Sequence, residues 1–270
     1  MPELPEVETV RRQLLALEVV GRRIEQVRID WPRLVEPLTP RALSRRLRGQ
    51  TIANVERVGK WLSFRLVAAP PLWVHLRMTG GFRYSQGALQ RGLHERAWLC
   101  LSGGLNLHFR DPRKFGRWRW GTEPIGLGPD ALTVSARDFA LRLATRNRAL
   151  KALLLDQSFI AGVGNIYADE ALFRARLAPH RRSASLPARE CRALWQAVRH
   201  VLRAGVRNGG TSLGAGQGNF IDLNGHAGGY REKVQIYGRA GQPCPVCHRA
   251  LLRTHIAQRT TVYCSHCQKG

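Results

Sequence analysis

The sequence predicts an α+β protein with a β-rich N-terminal part, a helical middle part and a small cysteine-rich unit at the C-terminus. Three observations support this fold class. Alternating apolar residues recur before residue 130, helical periodicity predominates from residue 136 onward, and four cysteines follow residue 243. Strands and helices repeat with different periods, so the two patterns can be told apart. At 270 residues the chain is long enough to bury a core in more than one domain.

The N-terminal part begins with an amphipathic helix and continues as strands. Val7, Val10 and Leu14 recur at helical spacing within the first turns of the chain. Residues 51–67 and 72–84 then carry patterns typical of strands. A Gly103-Gly104 pair between two short apolar runs indicates a hairpin. We therefore expect a β-sandwich accompanied by one helix.

The middle part changes to helical texture. Residues 136–155 and 188–206 show helical periodicity with arginines on the exposed face, and a further helix is expected after Asn165. Residues 209–229 are rich in glycine and asparagine and lack periodicity. A connection of that length in a compact domain is typical of a functional lid or a mobile segment.

The charge of the chain favours a polyanionic partner. Its 43 Lys and Arg residues against 19 Asp and Glu give a net charge of +24 and a pI near 11.4. Such a field attracts nucleic acid, although a basic protein without that function is the alternative. Only five of the cations are lysines, and Lys60 and Lys151 are two of them. A lysine kept in an arginine-rich chain favours a task that needs a compact point charge.

The cysteines and the N-terminus indicate a reducing compartment. Two of the six cysteines, Cys100 and Cys191, stand alone, and the other four form two close pairs, which is not the pattern of a disulfide framework. The first eight residues are acidic and contain two prolines, unlike a signal peptide. No apolar run approaches the length of a membrane span. We expect a cytoplasmic protein that does not enter membranes.

The paired cysteines predict one structural zinc ion. Sixteen residues separate a first Cys-x-x-Cys pair from a second, and four thiolates at this spacing make a closed tetrahedral site. A unit this short needs the metal for its folding energy. The segment between the pairs predicts a β-hairpin with Arg259 near its turn. The expected ligands are Cys244, Cys247, Cys264 and Cys267, with His248 and His266 as bystanders.

The N-terminus could carry a nucleophile. Met1 precedes a small residue, so its removal would leave Pro2 as a free secondary amine. An α-amino group has a pKa near 8, so part of it is unprotonated at neutral pH and can attack a sugar carbon. Glu3 and Glu6 lie close by for proton transfer. Proline and glutamate also favour the first turn of a helix for structural reasons alone, and this alternative stays open here.

Seven sequence blocks in a fixed order resemble the bacterial formamidopyrimidine-DNA glycosylases. They span the whole chain, which makes the resemblance far more specific than any single block. In order they are MPELPEVETVRR, the Gly59-Lys60 pair, HLRMTG at 75–80, DPRKFG at 111–116, AGVGNIYADE at 161–170, QIYGR at 235–239 and the four-cysteine finger.

The resemblance implies a fold and a reaction. The fold would be a β-sandwich over residues 1–130, a helix-two-turn-helix domain over 131–230 with a lesion-capping loop, and a β-hairpin zinc finger over 235–270. The reaction would be excision of an oxidised purine from duplex DNA through a Pro2 iminium, followed by β- and δ-elimination. Glu3 would protonate the sugar ring oxygen, and Glu6 would be a supporting carboxylate. We expect the partner to be damaged double-stranded DNA and the protein to be a monomer.

The same resemblance implies a set of DNA contacts. Lys60 corresponds to a lysine that contacts the lesion nucleotide and its phosphate. Met78, Arg113 and Phe115 correspond to residues that fill the gap left by a flipped base, which offsets the cost of unstacking. Without the surrounding blocks, Met78 and Phe115 would more often be core residues. His75, at the start of the HLRMTG block, belongs with these DNA-binding candidates.

Three further candidates lie in the second half of the chain. Asn165 corresponds to a phosphate-binding asparagine, and the helix start after Gly162 and Gly164 suits an anion on physical grounds. Arg259 corresponds to a zinc-finger arginine that grips phosphates beside the lesion, and we group it with the catalytic residues. Lys151 corresponds to a lysine associated with recognition of oxidised purines. As an isolated residue it would be an ordinary solvated charge.

Two alternatives remain open from the sequence. An endonuclease VIII-like enzyme of the same superfamily would act on oxidised pyrimidines, but Leu4 and Lys151 favour purines. A catalytically inactive DNA-binding relative would lack chemistry, but Pro2, Glu3 and Lys60 are all present. The expected capping loop, residues 213–230, is longer and richer in glycine than the family pattern. This difference bears on the choice of lesion and not on the class of reaction.

Overall fold

The computed structural model describes residues 2–87, 92–213 and 219–270. The chain divides into two compact units. The first unit contains the residues up to Ile125 together with Asn208–Arg231, and the second contains Gly126–Arg207 and Glu232–Gly270. No helix in these described ranges is long and apolar enough to cross a membrane.

The first unit is a β-sandwich, as the sequence predicts. One antiparallel four-stranded sheet has the strand order β1-β6-β7-β5, and the other has the order β2-β3-β4-β8. Phe82, Phe109 and Trp118 pack between them, with ring centroids about 5 to 6 Å apart. The strands are β1 Ile24–Ile29, β2 Ile52–Val58, β3 Trp61–Leu66, β4 Leu72–His75, β5 Gly81–Gln86, β6 Glu95–Leu101, β7 Leu105–Arg110 and β8 Arg117–Trp120.

Two predicted strands are each divided in the structure. Residues 51–67 form the hairpin β2–β3, because Gly59 has a φ of +56° and turns the chain between Val58 and Trp61. Residues 72–84 form β4 in one sheet and β5 in the other, since the HLRMTG block makes the crossing. The Gly103-Gly104 hairpin is confirmed between β6 and β7. Both divisions place a functional block at a turn.

Helix α1, Leu4–Ala16, is the buried helix of the sandwich. Leu4, Val7, Val10 and Leu14 are at most 1% exposed and join its core. A second short helix, α2 (Pro40–Leu47), packs Leu43 and Leu47 inward and exposes its arginines. The burial of α1 fixes the position of the residues that precede it.

The segment 208–231 belongs to the first unit, whereas the sequence analysis assigned it to the helical domain. Phe220 and Leu223 join the sandwich core, and the Gln13 amide donates to Asp222 at 2.7 Å. The domain boundary near residue 230 is therefore different in the structure. In the expected capping loop Phe220, Leu223 and Tyr230 are buried and residues 224–227 are exposed, whereas residues 214–218 lie outside the described residues.

The second unit combines four helices with a two-stranded ribbon. The predicted helix 136–155 is two helices, because the chain breaks at residues 145–149. The cysteine-rich part is not a separate unit, since Phe173 packs against Ile236, Leu251 and Val262. The elements of the second unit are α3 Ala136–Ala144, α4 Leu150–Leu155, α5 Asn165–Ala175, α6 Ala188–Arg207, β9 Leu252–Ile256 and β10 Arg259–Tyr263.

Candidate functional site

The N-terminal candidates are buried at the start of α1. Glu3 and Glu6 are 2% and 1% exposed. One oxygen of Glu6 accepts the backbone N–H of Glu3 at 2.7 Å, and the other accepts the N–H of Thr211, also at 2.7 Å. Gly210 permits this approach, because a Cβ there would lie 2.8 Å from Glu6. Glu6 therefore ties the N-terminus to the 208–231 segment, which fits the supporting function expected of it.

Pro2 opens onto a small cavity of the first unit. Met78 and the residues that follow it line one wall, and residues 219–222 line another. Arg83 and Arg110 add two guanidinium groups to the lining. Burial lowers the pKa of Arg110, and the neighbouring Arg83 and Arg96 lower it further, which shows how much positive charge gathers here. An N-terminal amine at Pro2 would therefore face a cavity lined by two guanidinium groups and one carboxylate, that of Asp222.

Lys60 lies at the turn of the β2–β3 hairpin and is 6% exposed. A buried ion pair supports this turn. Arg57 donates to the carbonyl of Gly59 at 3.0 Å and to Glu8 at 3.1 Å. Burial on its own raises the pKa of Glu8, but hydrogen bonds from Arg11 and Arg12 and the charge of Arg57 hold it at about 2.

The sequence analysis missed the supporting pair of Glu8 and Arg57. Glu8 lies within the first motif block, and its spacing to Arg11 and Arg12 on one helix gave a signal of ion pairing. The partner that matters for the Lys60 turn comes from β2, far along the chain. No local pattern links Arg57 to α1.

His75 is a neutral, buried imidazole. Burial lowers its pKa to about 3, and the positive charges of Arg77, Lys60 and Arg119 act in the same direction. Its Nδ1 accepts the backbone N–H of Arg77 at 2.9 Å, which leaves Nε2 as the donor. The ring packs edge-on against Trp61. His75 therefore offers a hydrogen-bond donor and no charge.

Met78, Arg113 and Phe115 are exposed, so the alternative of core residues is wrong for Met78 and Phe115. Met78 is 38% exposed and Phe115 is 42% exposed. The guanidinium of Arg113 lies 4.8 Å from the centre of the Phe115 ring. Exposed apolar side chains next to a cation have the composition of a wedge that enters a base stack.

The four predicted cysteines come together at one end of the ribbon. Their Sγ atoms lie within 4.8 Å of one another, with Cys244 to Cys267 at 3.9 Å and Cys247 to Cys264 at 3.4 Å. A tetrahedron of sulfurs around zinc has edges of roughly 3.8 Å. Backbone N–H groups of Val246 and Cys267 point at two of these sulfurs. The cluster fits one structural zinc ion, and four thiolates leave no position for a catalytic water.

The ribbon hairpin docks on α4 and α5 through polar contacts. The Ala257-Gln258 turn has two positive φ angles, and it leaves Arg259 exposed at the start of β10. The carbonyl of Thr260, the next residue, accepts from Lys151 at 3.0 Å and from Asn165 at 3.1 Å. Asn165 is thus bonded to the residue that follows Arg259, and the assignment of both as phosphate contacts stays a prediction.

Lys151 is a buried ion-pair partner. Its side chain is 0% exposed, and its ammonium donates to Asp169 Oδ1 at 2.6 Å. The alternative of a solvated charge is wrong, and direct contact with an oxidised base is not supported, because the ammonium is enclosed. Burial raises the pKa of Asp169 to about 6, although Lys151 lowers it. Asp169 in turn accepts the N–H of Val262, so the pair fastens β10 to α5.

Glu170 makes a second anchor that the sequence analysis missed. Its carboxylate accepts three consecutive backbone N–H groups, from Gln235, Ile236 and Tyr237, each at 2.9 Å. These residues form the QIYGR block just before the ribbon. Asp169 and Glu170 both lie within the AGVGNIYADE block, but only the fold shows that their carboxylates bind backbone N–H groups.

Three family models match successive parts of the chain. Residues 1–118 match the N-terminal domain of formamidopyrimidine-DNA glycosylase, residues 125–216 match its H2TH domain, and residues 241–270 match a zinc finger found in FPG and IleRS. The matches follow the order of sandwich, helices and ribbon. They define the class of the protein as a DNA glycosylase with an H2TH domain and a zinc finger.

Known members of this class are similar to the chain over its whole length. The formamidopyrimidine-DNA glycosylase of Desulfitobacterium hafniense is 41% identical over 283 residues, covering 99% of this chain and 100% of that protein. The MutM (Fpg) structure from Thermus thermophilus has 42% identity and a TM-score of 0.86, covering 99% of this chain and 98% of that one. A Lactococcus lactis Fpg mutant, solved with DNA containing Fapy-dG, has 30% identity and a TM-score of 0.89 with full coverage of both chains. The chain belongs to the formamidopyrimidine-DNA glycosylase family.

Proposed function

We propose that this protein excises oxidised purines from duplex DNA and then cleaves the backbone at the resulting abasic site. The observation that carries the proposal is the placement of Pro2 at the head of a buried helix, next to Glu3 and opening onto an arginine-lined cavity. Support for the substrate comes from the Lactococcus lactis relative, which was solved with DNA containing Fapy-dG. The endonuclease VIII-like and inactive alternatives are not favoured by the family matches.

The chemistry follows from an unprotonated secondary amine at Pro2. Its nitrogen attacks C1′ of the damaged nucleotide, the bond from C1′ to the base breaks, and the base leaves with a proton. Glu3 is placed to protonate the ring oxygen, which opens the sugar and gives an iminium. Loss of a C2′ proton then expels the 3′ phosphate, and a second elimination expels the 5′ phosphate. Hydrolysis of the iminium then releases the sugar remnant as an unsaturated aldehyde and frees the Pro2 amine, and a one-nucleotide gap remains.

The remaining candidates would bind the DNA. Lys60 would hold the phosphate of the flipped nucleotide, and Met78, Arg113 and Phe115 would fill the gap in the stack. Asn165 and Arg259 would hold phosphates beside the lesion. An enzyme of chromosomal DNA works in the compartment that holds the chromosome, which is the cytoplasm expected above. One protein molecule is enough to act at one lesion, which agrees with the monomer expected from the sequence.

Borohydride trapping on a duplex containing 8-oxoguanine tests the proposal. The mature protein, which begins at Pro2, should become covalently linked to the DNA, because reduction fixes the iminium. A matched preparation that retains a blocking residue before Pro2 should bind the same duplex without being trapped. Equal trapping of both preparations would reject Pro2 as the nucleophile and make Lys60→Met the next variant. Binding without trapping or strand cleavage by the mature protein would support the inactive alternative.

A further inference from the structure

Two loops carry the three side chains of the proposed wedge. The Met78 loop, residues 76–80, connects β4 to β5, and the Phe115 loop, residues 111–116, connects β7 to β8. Each loop passes from one sheet of the sandwich to the other, because β4 and β8 lie in one sheet and β5 and β7 in the other. Their wedge side chains are exposed. Arg113 stacks on Phe115 within one loop, but among the described residues no side-chain hydrogen bond or ring contact joins that pair to Met78.

Asp111 joins the two loops from beneath. Asp111 is 1% exposed, and its carboxylate accepts hydrogen bonds from both loops. One oxygen accepts from the Thr79 hydroxyl in the Met78 loop. The other accepts the backbone N–H of Gly116, at the end of the Phe115 loop, at 2.7 Å. Arg96 fixes the Asp111 backbone by donating to its carbonyl at 2.9 Å.

Thr79 makes a second link between the same loops. Its hydroxyl donates to Asp111 and also accepts the backbone N–H of Arg113 at 3.3 Å. The hydroxyl therefore both donates a hydrogen bond to the Phe115 loop and accepts one from it. Below this network the ring of Phe109 fills the space under both loops. A Cβ on Gly80 would lie 2.8 Å from this ring, and a Cβ on Gly116 would lie 2.7 Å from it.

We propose that Thr79 and Asp111 are positioning residues that join the Met78 loop and the Phe115 loop into one rigid wedge. The inference rests on the proposed function, since it assumes that Met78, Arg113 and Phe115 enter the DNA. Two independent loops would each lose conformational freedom when they insert between bases. A joined pair has lost that freedom before binding, so more of the contact energy is available for flipping the base.

The proposal separates base flipping from chemistry. Thr79 lines the same cavity as Pro2, but among the described residues its hydroxyl and the Asp111 carboxylate bond to the two loops and not to Pro2 or Glu3. Their loss should therefore slow the step in which the wedge opens the stack. A hydrogen bond to a carboxylate is worth roughly tenfold or more in an equilibrium constant. We expect a loss of that size in the opening step.

The experiment compares Thr79→Val with Thr79→Ser in the full, zinc-loaded protein. Valine keeps the shape of threonine and removes the hydroxyl, whereas serine keeps the hydroxyl. The readout is stopped-flow fluorescence of 2-aminopurine placed next to 8-oxoguanine in a duplex, which follows unstacking. Thr79→Val should slow this phase about tenfold or more, and Thr79→Ser should restore it. Asp111→Asn, which offers one acceptor oxygen instead of two, should give a loss of the same kind.

A wedge variant distinguishes failure of this inference from failure of the proposed function. In a Phe115→Ala background, Thr79→Val should have much less effect than in the wild type, because both act on the same step. Thr79→Val with a normal opening phase, or with its full effect retained in that background, would overturn the positioning assignment. A normal opening phase in Phe115→Ala itself would instead reject the wedge. Thr133→Val, at an exposed threonine of the second unit, is the control for the substitution.

Discussion

Replacing Lys151 by methionine should weaken the second unit and loosen the ribbon hairpin. The substitution keeps most of the side-chain volume and removes the ammonium from Asp169 and from the Thr260 carbonyl. Both side chains of the pair are almost completely buried, at 0% and 1% exposure. Removing one partner of a buried ion pair typically costs about 3 to 5 kcal/mol. We expect a decrease of that size in the free energy of unfolding at neutral pH.

The pH dependence and a double variant refine this magnitude. Burial already raises the pKa of Asp169 to about 6 with Lys151 present, so without the lysine it should rise further and the carboxyl should be neutral at pH 7. Protonation of Asp169 removes the unpaired buried charge and so limits the loss of stability caused by Lys151→Met. Adding Asp169→Asn should therefore recover part of the stability, since asparagine still offers an oxygen to the Val262 N–H. Lys233→Met, at an exposed lysine of the same unit, should change stability by no more than about 0.5 kcal/mol.

Two assays read out the Lys151→Met substitution. Calorimetry gives the global loss, and hydrogen exchange should show faster exchange across β9 and β10, including the Val262 amide. Single-turnover cleavage of 8-oxoguanine, formamidopyrimidine and abasic duplexes should fall by similar factors, because Arg259 and Asn165 lose their support for all three. A selective loss of 8-oxoguanine excision in a variant of normal stability would refute this reasoning. It would restore the direct recognition expected from the family resemblance.

Two further predictions concern the ribbon and the buried imidazole. Chelation of zinc, or Cys247→Ser, should unfold the ribbon and abolish tight DNA binding. Arg259→Ala should instead lower the salt dependence of binding by about one phosphate contact, on damaged and undamaged duplexes alike. A loss of affinity confined to damaged DNA would contradict the phosphate assignment. Burial lowers the pKa of His75 from its ordinary value of 6.5 to about 3 in the folded protein. The unfolded chain therefore binds the proton first, and stability should fall as the pH decreases from about 6.5. Below about pH 6.5 the free energy of unfolding, measured with denaturant, should therefore decrease by up to about 1.4 kcal/mol per pH unit because of His75, and this contribution should be absent in His75→Asn. If the pH dependence were unchanged in that variant, other groups would be its cause.

The sequence predicted those features that depend on local pattern. The sandwich, the helices, the Gly103-Gly104 hairpin and the cysteine cluster all follow from spacing that neighbouring residues carry. The prediction of one strand over residues 51–67 was wrong, because two strands of similar composition on either side of a turn resemble one long strand. The division of residues 136–155 into two helices was missed for the same reason. Local periodicity reports which face is buried and not where the axis changes direction.

The direction of a side chain was harder to predict than its importance. Lys151 was singled out correctly as a lysine in an arginine-rich chain, but its partner lies on the next helix, and only the fold shows that it points inward. Glu8 and Arg57 meet across 49 positions, and Asp111 meets Thr79 across 32. Each of these contacts supports a candidate residue that the motifs did identify. Supporting residues are found through tertiary distance, which one sequence does not contain.

The neighbouring acids Asp169 and Glu170 explain how the second unit fixes the residues that we propose as phosphate contacts. Asp169 holds the hairpin that presents Arg259, and Glu170 holds the backbone that leads into the ribbon. Both lie on α5, the helix whose first residue is Asn165. The ribbon's own core is small, so its cysteines and metal can set its internal fold but not its direction. Burial raises the pKa of Glu170, and the three N–H groups that it accepts lower it, so these hydrogen bonds offset part of a desolvation cost. A ribbon that retained zinc and lost these two carboxylates should therefore keep its internal fold. Arg259 would no longer be held near Asn165, so we expect such a variant to bind the metal normally and DNA weakly.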